Sequence, residues 1–412
     1  MMTEKMPPTT KKRWIQLLVC TILFLSSTPS AFSKITLDDD ATISLLTVHP
    51  QSKAVYTIFG HTAIRVKSDS LNIDIVYNYG HFDSGRPNFI YHFVRGETDY
   101  VLGLEEFSFF RYKYQFDNSY IEEQILHLSI EEKRAVFDFL NNNALPENRG
   151  YRYDYFFDNC STRPRDIIED LIAGKLIYPA QKETTTLRTL VHECTKPYPW
   201  LAFGVDLVIG SGADSTVQLR TEMFLPIKLM EAFDEAVTET DSTSLSIVSQ
   251  KQTIMLPEYA EETSGGGISP EVAAILILLL TGIITYWAHK KNRLYKGLDI
   301  TLFTIAGIAG CIVAFICFIS THPCTSQNYN VIWIHPFHLL AAICIAIKSL
   351  KRVSNWYHLI NFAILSVFLA VWYALPQEIP LAGIIIAACL WLRSGYNVYQ
   401  VHQERIKFRK SK

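Results

Sequence analysis

One cysteine of this 412-residue chain lies where a thiol could act as a nucleophile. Cys160 stands in YDYFFDNCSTRPRDII, between an aromatic, acidic stretch and a segment that resembles the start of a helix. Pro164 near the start of that segment, apolar residues at helical spacing and Gly174 after them predict the helix. A helix N-terminus lowers the pKa of a cysteine, and Arg163 and Arg165 would add to this effect if they point toward the sulfur. The position therefore favours a reactive thiolate.

A nucleophilic thiol needs a base, and His61 in FGHTAIRV is the best candidate. Gly60 before it allows a close approach of the backbone. The segments AVYTIFGHTAIRVKS and LNIDIVYNYGHFD are rich in β-branched and aromatic residues, which predicts two antiparallel strands joined by a short turn. The second strand would bring Asn78 or His81 beside His61, where a third polar group usually orients the imidazole. Asn78 is the first choice.

Each of these residues also has a simpler explanation. A cysteine before a helix is more often structural than catalytic, and in an exported domain Cys160 could pair with Cys194. A histidine at the start of a strand is usually a satisfied polar residue. Three carboxylates near the cysteine could bind a metal, but no histidine–carboxylate spacing supports a metal site, so we expect none: Asp154, Asp158 and Asp166. The residues alone leave a Cys–His enzyme unproven.

The chain divides into an exported half and a membrane half. Lys11, Lys12 and Arg13 precede the apolar run WIQLLVCTILFL, which predicts a signal peptide over 1–33, with an uncleaved anchor helix as the alternative. Residues 34–257 form the exported domain, in which strands come first and the cysteine-capped helix comes later. A second, amphipathic helix is predicted in SIEEKRAVFDFLNNNAL, where Ser129 precedes two glutamates.

After a linker over 258–271, apolar segments dominate residues 272–392. Their lengths approach or reach those of membrane helices, although the last is short; they are Val272–Ala288, Ile300–Ser320, Val331–Ile347, Trp356–Leu375 and Ile379–Leu392. HKKNRLYK, KSLKR and the tail 393–412 are basic, whereas the loops between them carry no Lys or Arg. Basic loops face the cytoplasm, so five spans place the exported domain in the periplasm. The net charge of −2 gives no support for nucleic-acid binding.

The combination of GHTAIRV, VYNYGHFD and YRYDYFFDNCSTRPRDII resembles the exported domain of Lnb-type bacterial lipoprotein N-acyltransferases. FGVDLVIGSGADS, EMFLPIKLMEAF and THPCTSQNYNVIWIHP are similar to later parts of that family, so the resemblance extends from about Ala41 to the C-terminus. The order of histidine and cysteine is similar to the permuted branch of the papain-like superfamily, which includes NlpC/P60 enzymes. The resemblance implies an α+β papain-like (permuted NlpC/P60-like) domain followed by an all-α transmembrane domain of about five helices.

The resemblance also implies an activity at the bacterial inner membrane. Cys160 would accept an acyl chain from a membrane phospholipid as a thioester, and the N-terminal amine of a lipoprotein would then attack it, with His61 as base. Backbone N–H groups, with Asn159 or Tyr155, would stabilise the oxyanion. In the loop 321–330, the residues expected to contact lipid headgroups are His322, Asn328 and Asn330, although a plain solvated turn is the alternative. No cofactor is implied.

Three hypotheses remain open at this point. The first is the acyltransferase, and the second is a membrane-tethered cysteine peptidase or amidase that acts on cell-wall peptides. About five membrane helices argue against the second, because a wall hydrolase needs only one anchor. The third is a non-enzymatic scaffold or receptor, which a disulfide at Cys160 would favour. A further disulfide, between Cys194 and Cys324, would tie the exported domain to the membrane loop.

Overall fold

The structure is a computed structural model that describes residues 36–52, 54–82, 85, 87–240, 243–259 and 267–411. Asp38–Lys412 forms one compact unit, and the short unit before it, Met1–Leu37, lies almost wholly outside the described residues. The predicted signal peptide (1–33) and half of the predicted linker (258–271) are likewise outside them.

Six of the strands described in the N-terminal domain precede the helix after Cys160, as predicted, but six others follow it, so the predicted order holds only in part. They are β1 (Thr42–Val48), β2 (His61–Ser68), β3 (Ile73–His81), β4 (Asp99–Glu106), β5 (Ile121–Leu126), β6 (Gly150–Arg152), β7 (Lys175–Ile177), β8 (Thr185–Thr186), β9 (Thr216–Val217), β10 (Val237–Glu239), β11 (Ser244–Ser246) and β12 (Val248–Met255). The two strands predicted around His61 and Asn78 are confirmed as β2 and β3. The expected strand start at Ala54 is wrong, because Thr57–Phe59 form a 3₁₀ turn and β2 begins only at His61.

Seven of the described strands form one antiparallel sheet in the order β12-β5-β1-β2-β3-β4-β6. β2 and β3 occupy inner positions, so each is hydrogen-bonded on both edges. Successive side chains of a strand alternate between the two faces of a sheet. Hence Ala63 and every second residue from it on β2 face the helices on one side of the sheet, while Thr62 and Ile64 face the helices on the other side.

The helices of this domain lie on both faces of the sheet. They are α1 (Phe89–Arg95), α2 (Phe107–Phe116), α3 (Ile130–Asn143), α4 (Thr162–Leu171), α5 (Leu187–Thr195), α6 (Pro199–Val208), α7 (Leu219–Glu222) and α8 (Pro226–Glu235). Phe110 and Tyr114 of α2 pack with Ala63 and Val76 in one buried cluster. On the other face, α4 packs against β2 and α3.

Both helices predicted in this domain are confirmed. α3 begins after Ser129, whose side chain accepts a hydrogen bond from the N–H of Glu132 while the Glu132 carboxylate accepts one from the N–H of Ser129. This reciprocal capping box is the one that the spacing indicated. α4 begins at Thr162, two residues after the cysteine, and buries Ile167 and Ile168.

The C-terminal domain contains the helices α9 (Pro270–Lys290), α10 (Lys296–Phe318), α11 (Phe337–Ala346), α12 (Lys351–Val371) and α13 (Leu381–Lys410). Short 3₁₀ turns extend two of them, which gives five apolar segments of membrane-spanning length among the described residues. The predicted α+β domain followed by about five apolar helices is thus confirmed. The fifth helix continues beyond Leu392, through the predicted tail, and ends at Lys410.

Candidate active site

Cys160 lies immediately before α4, at the end of the sheet where β2 begins. Its sulfur accepts hydrogen bonds from His61, from the backbone N–H of Thr62 and from the Tyr153 hydroxyl. Gly80 leaves room beside this group: its φ is +103°, and a Cβ built there would lie 3.7 Å from both Cys160 Cβ and His61 Cε1. The positive φ favours glycine, so a residue without a side chain lies beside both the thiol and the imidazole.

The protonation of His61 follows from a chain of side chains behind it. His61 Nε2 lies 2.6 Å from Asn78 Oδ1, and Asn78 Nδ2 donates to Glu105 Oε1 at 2.8 Å. A carboxylate can only accept, so the amide nitrogen must face Glu105 and the amide oxygen must face the imidazole. His61 Nε2 therefore carries the proton. The lone pair of Nδ1 is left to accept the proton of the Cys160 thiol.

The strand register explains why Asn78, rather than His81, lies beside the His61 ring. β2 and β3 pair with Ile64 opposite Tyr77, which places Gly80 opposite His61 when extended to the strand end. Asn78 lies two residues away from Gly80 and thus on the same face as His61. His81 lies on the other side of a register shift in the β3–β4 pair and faces Glu105 at 3.9 Å. The structure thus brings Asn78, and not His81, to the imidazole.

The electrostatics of the pair favour the thiolate. Burial alone would raise the pKa of Cys160, but the charge of His61 and the three hydrogen bonds outweigh it, so the thiol pKa falls below its usual 9.0. Burial alone would lower the pKa of His61, but the thiolate charge and the hydrogen bonds to Cys160 and Asn78 raise it above 6.5. Opposite charges stabilise one another in this way when both are withdrawn from water. Both shifts favour the thiolate–imidazolium pair over the neutral thiol and imidazole.

The two arginines of YDYFFDNCSTRPRDII do not contribute to this charge. Arg163 forms a bidentate pair with Asp158 and stacks over the ring of Tyr151 at 3.7 Å. Arg165 is buried and pairs with Asp166. The condition under which they would lower the thiol pKa is therefore not met, because α4 directs both side chains to acidic partners.

The three carboxylates considered as metal ligands have local roles. Asp154 accepts hydrogen bonds from the N–H groups of Phe156 and Phe157, while Asp158 and Asp166 form the arginine pairs described above. Among the described residues, no group of three or more His, Cys, Asp or Glu side chains is arranged to hold a metal ion.

Asn159 and Tyr155, expected as helpers of the oxyanion, contribute in different ways. The amide nitrogen of Asn159 donates to the carbonyls of Tyr155 and Phe224, and its oxygen accepts from the N–H groups of Ser161 and Thr162. These bonds occupy both amide hydrogens, so the expected role of the Asn159 side chain is wrong: it anchors the start of α4 instead. The Tyr155 hydroxyl is buried, has no hydrogen-bond partner among the described residues and lines the same cavity as Cys160.

The thiol opens into a cavity of about 510 Å³ whose walls are mainly apolar and aromatic. This volume lies within the range of pockets that hold small ligands. The residues that matter for its character are Phe59, Phe82, Phe93, Tyr100, Tyr153 and Phe224, together with His322 from the C-terminal domain. The N-terminal domain and the loop between α10 and α11 thus build the cavity together.

Of the three loop residues predicted to contact headgroups, only His322 reaches this cavity. Its Nε2 lies 2.7 Å from the carbonyl of Phe93. Asn328 and Asn330 are 3% and 0% exposed. Their amides donate to the carbonyls of Leu207 and Asp206 on α6. The expectation that these two asparagines contact headgroups is wrong, since their donors join the two domains.

The cysteines proposed for disulfides are free thiols. Cys160, Cys194 and Cys324 are each unpaired, so neither the Cys160–Cys194 nor the Cys194–Cys324 bridge is present. Cys194 and Cys324 pack against one apolar cluster around Phe156 and Phe224. In the part of the chain that the structure describes, hydrogen bonds rather than a disulfide join the two domains.

Two residues of the site were not predicted from the sequence. Glu105 orients Asn78, and Tyr153 hydrogen-bonds the sulfur. Val76 pairs with Glu105 across β3 and β4, so a correct prediction of β4 would have brought Glu105 near Asn78. Tyr153 stands in a segment with several tyrosines, and nothing in its local pattern distinguishes it from Tyr151 or Tyr155.

Comparison with protein families covers both halves of the chain. The Lnb N-terminal periplasmic domain matches residues 32–193, and the Lnb transmembrane domain matches residues 261–405. The chain belongs to the Lnb family. The Cys160 site therefore lies in the Lnb periplasmic domain, and this Lnb protein is a multi-pass protein of the inner membrane. Neither the search of curated proteins nor that of solved structures found a match.

Proposed function

We propose that this Lnb protein is a lipoprotein N-acyltransferase that moves an acyl chain from a membrane phospholipid to the N-terminal amine of a diacylglyceryl-cysteine lipoprotein. One observation carries the proposal: the hydrogen-bonded Cys160–His61 pair opens into an apolar cavity that the membrane domain helps to build. Such a cavity suits an acyl chain that stays close to the bilayer.

In the first half-reaction, the Cys160 thiolate attacks the carbonyl carbon of an ester of the phospholipid. A carbon–sulfur bond forms, and the electron pair of the carbonyl moves to its oxygen. When the tetrahedral intermediate collapses, the carbon–oxygen bond of the ester breaks and the leaving glycerol oxygen takes the proton from His61 Nδ1. The products are an acyl-Cys160 thioester and a lysophospholipid.

In the second half-reaction, the free α-amine of the lipoprotein attacks the thioester carbonyl. His61 Nδ1, now neutral, takes a proton from the attacking nitrogen. The carbon–sulfur bond breaks, the amide forms, and the sulfur leaves as a thiolate that is again paired with imidazolium. Asn78 holds the ring in one tautomer through both steps, so the same nitrogen gives and takes the proton.

Two donors support stabilisation of the oxyanion. The backbone N–H of Cys160 has no acceptor among the residues that the structure describes, and it lies next to the attacking sulfur. The Tyr153 hydroxyl already hydrogen-bonds the sulfur and could move to the carbonyl oxygen as its charge develops. Preorganised donors of this kind act strongly in a site that excludes water.

A membrane-tethered cysteine peptidase or amidase would use the same three residues, so the cavity is what favours the acyltransferase. A cell-wall peptide is polar, whereas the walls around Cys160 present mainly aromatic rings. The two functions differ in the covalent intermediate: only the acyltransferase would carry a fatty acyl group on the sulfur after contact with phospholipid.

The test combines two mass-spectrometric measurements. In a deletion strain, wild-type protein should restore triacylated lipoproteins, whereas Cys160→Ala should leave them diacylated although the variant is present in the membrane. Cys194→Ala is the matched control, because it removes a free thiol of the same domain that does not line the cavity. Purified wild-type protein mixed with phospholipid vesicles should gain the mass of one acyl chain on Cys160. Normal triacylation in the Cys160→Ala strain would contradict the proposal.

A further inference from the structure

A second cavity adjoins His61, and Cys160 is not among the residues that line it. It measures about 250 Å³ and shares His61, Gly60, Gly80, Tyr56 and Phe82 with the apolar cavity. The remainder of its wall combines Val48, Thr57 and Tyr114 with polar and charged groups that the apolar cavity lacks: His49, Gln51, Asn78, His81, Lys113 and Asp117. The imidazole thus stands between an apolar and a more polar compartment.

Lys113 is the unassigned charge of this polar compartment. Among the described residues, the Lys113 ammonium has no carboxylate within ion-pair distance. It lies 5.1 Å from the centre of the Tyr114 ring. The neighbouring histidines, in contrast, each have a carboxylate beside them: His49 pairs with Glu122 at 2.7 Å, and His81 faces Glu105. Lys113 and His81 line the same cavity, and burial, together with the charge of Lys113, lowers the pKa of His81.

The helix that carries Lys113 has the composition of a segment in contact with lipid headgroups. α2 reads FSFFRYKYQF, and three of its aromatic side chains are exposed to 64%, 70% and 78%: Phe109, Tyr112 and Phe116. Aromatic residues interleaved with basic ones are typical of the membrane–water interface. α2 has Phe110 and Tyr114 buried against the sheet, so the exposed rings are additional to those of its core face.

On these grounds, and on the basis of the proposed acyltransferase function, we propose that the Lys113 cavity binds the phosphodiester of the phospholipid donor. The acyl chain would occupy the apolar cavity, and the glycerol backbone would cross between the two compartments beside Cys160. In a glycerophospholipid, only the glycerol backbone separates the scissile ester from the phosphate. Lys113 supplies the charge, and the His81 ring supplies a neutral donor.

Binding to the Cys160→Ala variant of the full-length protein in detergent micelles tests the subsite without turnover. The probes are dihexanoyl phosphatidylglycerol and dihexanoyl glycerol, which lacks the phosphate. Adding Lys113→Gln should weaken binding of the phospholipid about tenfold, as expected for the loss of one charge-assisted contact. It should leave binding of dihexanoyl glycerol unchanged. Arg111→Gln, a change of the same charge on the exposed surface of the same helix, should alter neither, and Lys113→Arg should retain most of the phospholipid affinity.

Inorganic phosphate distinguishes a lipid headgroup from a free anion. It should bind the Cys160→Ala variant no more tightly than it binds the Lys113→Gln double variant. A Lys113-dependent phosphate affinity that equals the phospholipid affinity would overturn the proposal in favour of a free-anion site. Equal binding of phospholipid with and without Lys113 would also overturn it, as would a loss that is the same for dihexanoyl glycerol.

Measurements of turnover distinguish a failure of the proposed Lys113 subsite from a failure of the proposed acyltransferase reaction. With Cys160 present, the Lys113→Gln change should raise the KM for phosphatidylglycerol vesicles about tenfold and leave kcat nearly unchanged. If binding depends on Lys113 but wild-type protein releases no lysophospholipid, the subsite stands and the acyltransferase fails. If lysophospholipid is released regardless of Lys113, the acyltransferase stands and the subsite fails.

Discussion

At the scale of single residues, the proton on His61 is decided by a carboxylate that does not touch it. Glu105 orients the Asn78 amide, and the amide in turn fixes the tautomer of the imidazole. The pKa of Cys160 is lowered because His61 and two further donors offset its burial. Each of these four side chains depends on the next for its orientation or charge. Substitutions at different positions should therefore change different measured properties of the site.

Removal of His61 should raise the pKa of Cys160 above 9.0. Burial is the largest influence on this thiol and opposes ionisation, and His61 is the main group that offsets it. In the wild-type protein, alkylation by iodoacetamide should therefore proceed below pH 9, because thiolate persists there. In His61→Ala, the alkylation rate should rise only at higher pH. Superimposable profiles would show that His61 does not stabilise the thiolate.

Glu105 is a positioning residue, and its loss should lower kcat about tenfold, in line with one charge-assisted hydrogen bond. Glu105→Ala leaves the Asn78 amide free to turn, so His61 loses its preferred tautomer. Glu105→Gln keeps an acceptor for Asn78 Nδ2 and should recover most of the activity. The measurements are kcat with its pH dependence for both variants. If Gln is as damaging as Ala, the effect is not that of the acceptor.

At the scale of elements, the cavity depends on a contact between α1 and the loop that follows α10. The N–H of Thr321 donates to the carbonyl of Arg95 at 2.8 Å, and its hydroxyl bonds to the carbonyls of Arg95 and Gly96. Gly96 ends α1 with a φ of +75°. Thus the C-terminal end of α1, which is otherwise exposed on the surface of its domain, is held by the membrane domain.

Gly96→Ala should disturb this contact. A Cβ at this position would lie 2.8 Å from the N of His322 and 2.9 Å from Thr321 Oγ1, and the positive φ adds strain of about 1 kcal/mol. We expect faster hydrogen exchange of the Thr321 amide and lower acyl transfer. Gly150→Ala is the control, because a Cβ there meets no atom within 4 Å. Unchanged exchange at Thr321 in Gly96→Ala would show that the loop does not depend on this close approach.

At the scale of the whole molecule, α6 joins the periplasmic domain to the membrane domain. The carbonyls at the end of α6 accept from the amides of Asn328 and Asn330, and the Asn330 oxygen accepts from Trp333 Nε1 at 3.0 Å. Gln377 adds a bond from the loop before α13 to the carbonyl of Ile209. The position of the periplasmic site above the bilayer therefore rests on buried amide hydrogen bonds.

Asn330→Ala should destabilise this junction by about 1–3 kcal/mol, because a buried carbonyl and the Trp333 donor lose their partner. The change should lower the melting temperature of the protein in detergent and reduce acyl transfer while leaving Cys160 alkylation nearly unchanged. Asn355→Ala is the control, since its side chain has no hydrogen-bond partner among the described residues. A melting temperature equal to that of the control would contradict the role of Asn330.

Local sequence patterns were sufficient for the parts of the fold that depend on neighbouring residues. The capping box at Ser129, the alternation of β2 and β3 and the helix after Cys160 each follow from residues close together in the chain. Apolar length and loop charge likewise indicated five spans and their orientation, because burial in lipid is a property of each segment. The proximity of His61 and Asn78 could be predicted from the sequence because the two residues lie on adjacent strands.

The tertiary structure alone decided what depends on residues far apart in the sequence. Glu105 belongs to the site only because β4 pairs with β3, and Tyr153 only because its loop passes the sulfur. Arg163 and Asn330 have the residue types of functional groups, yet both are used by structural partners. Side-chain direction depends on the partners that packing offers, and no local pattern carries that information. The chain thus encodes its chemistry locally, and packing selects which polar groups remain available for it.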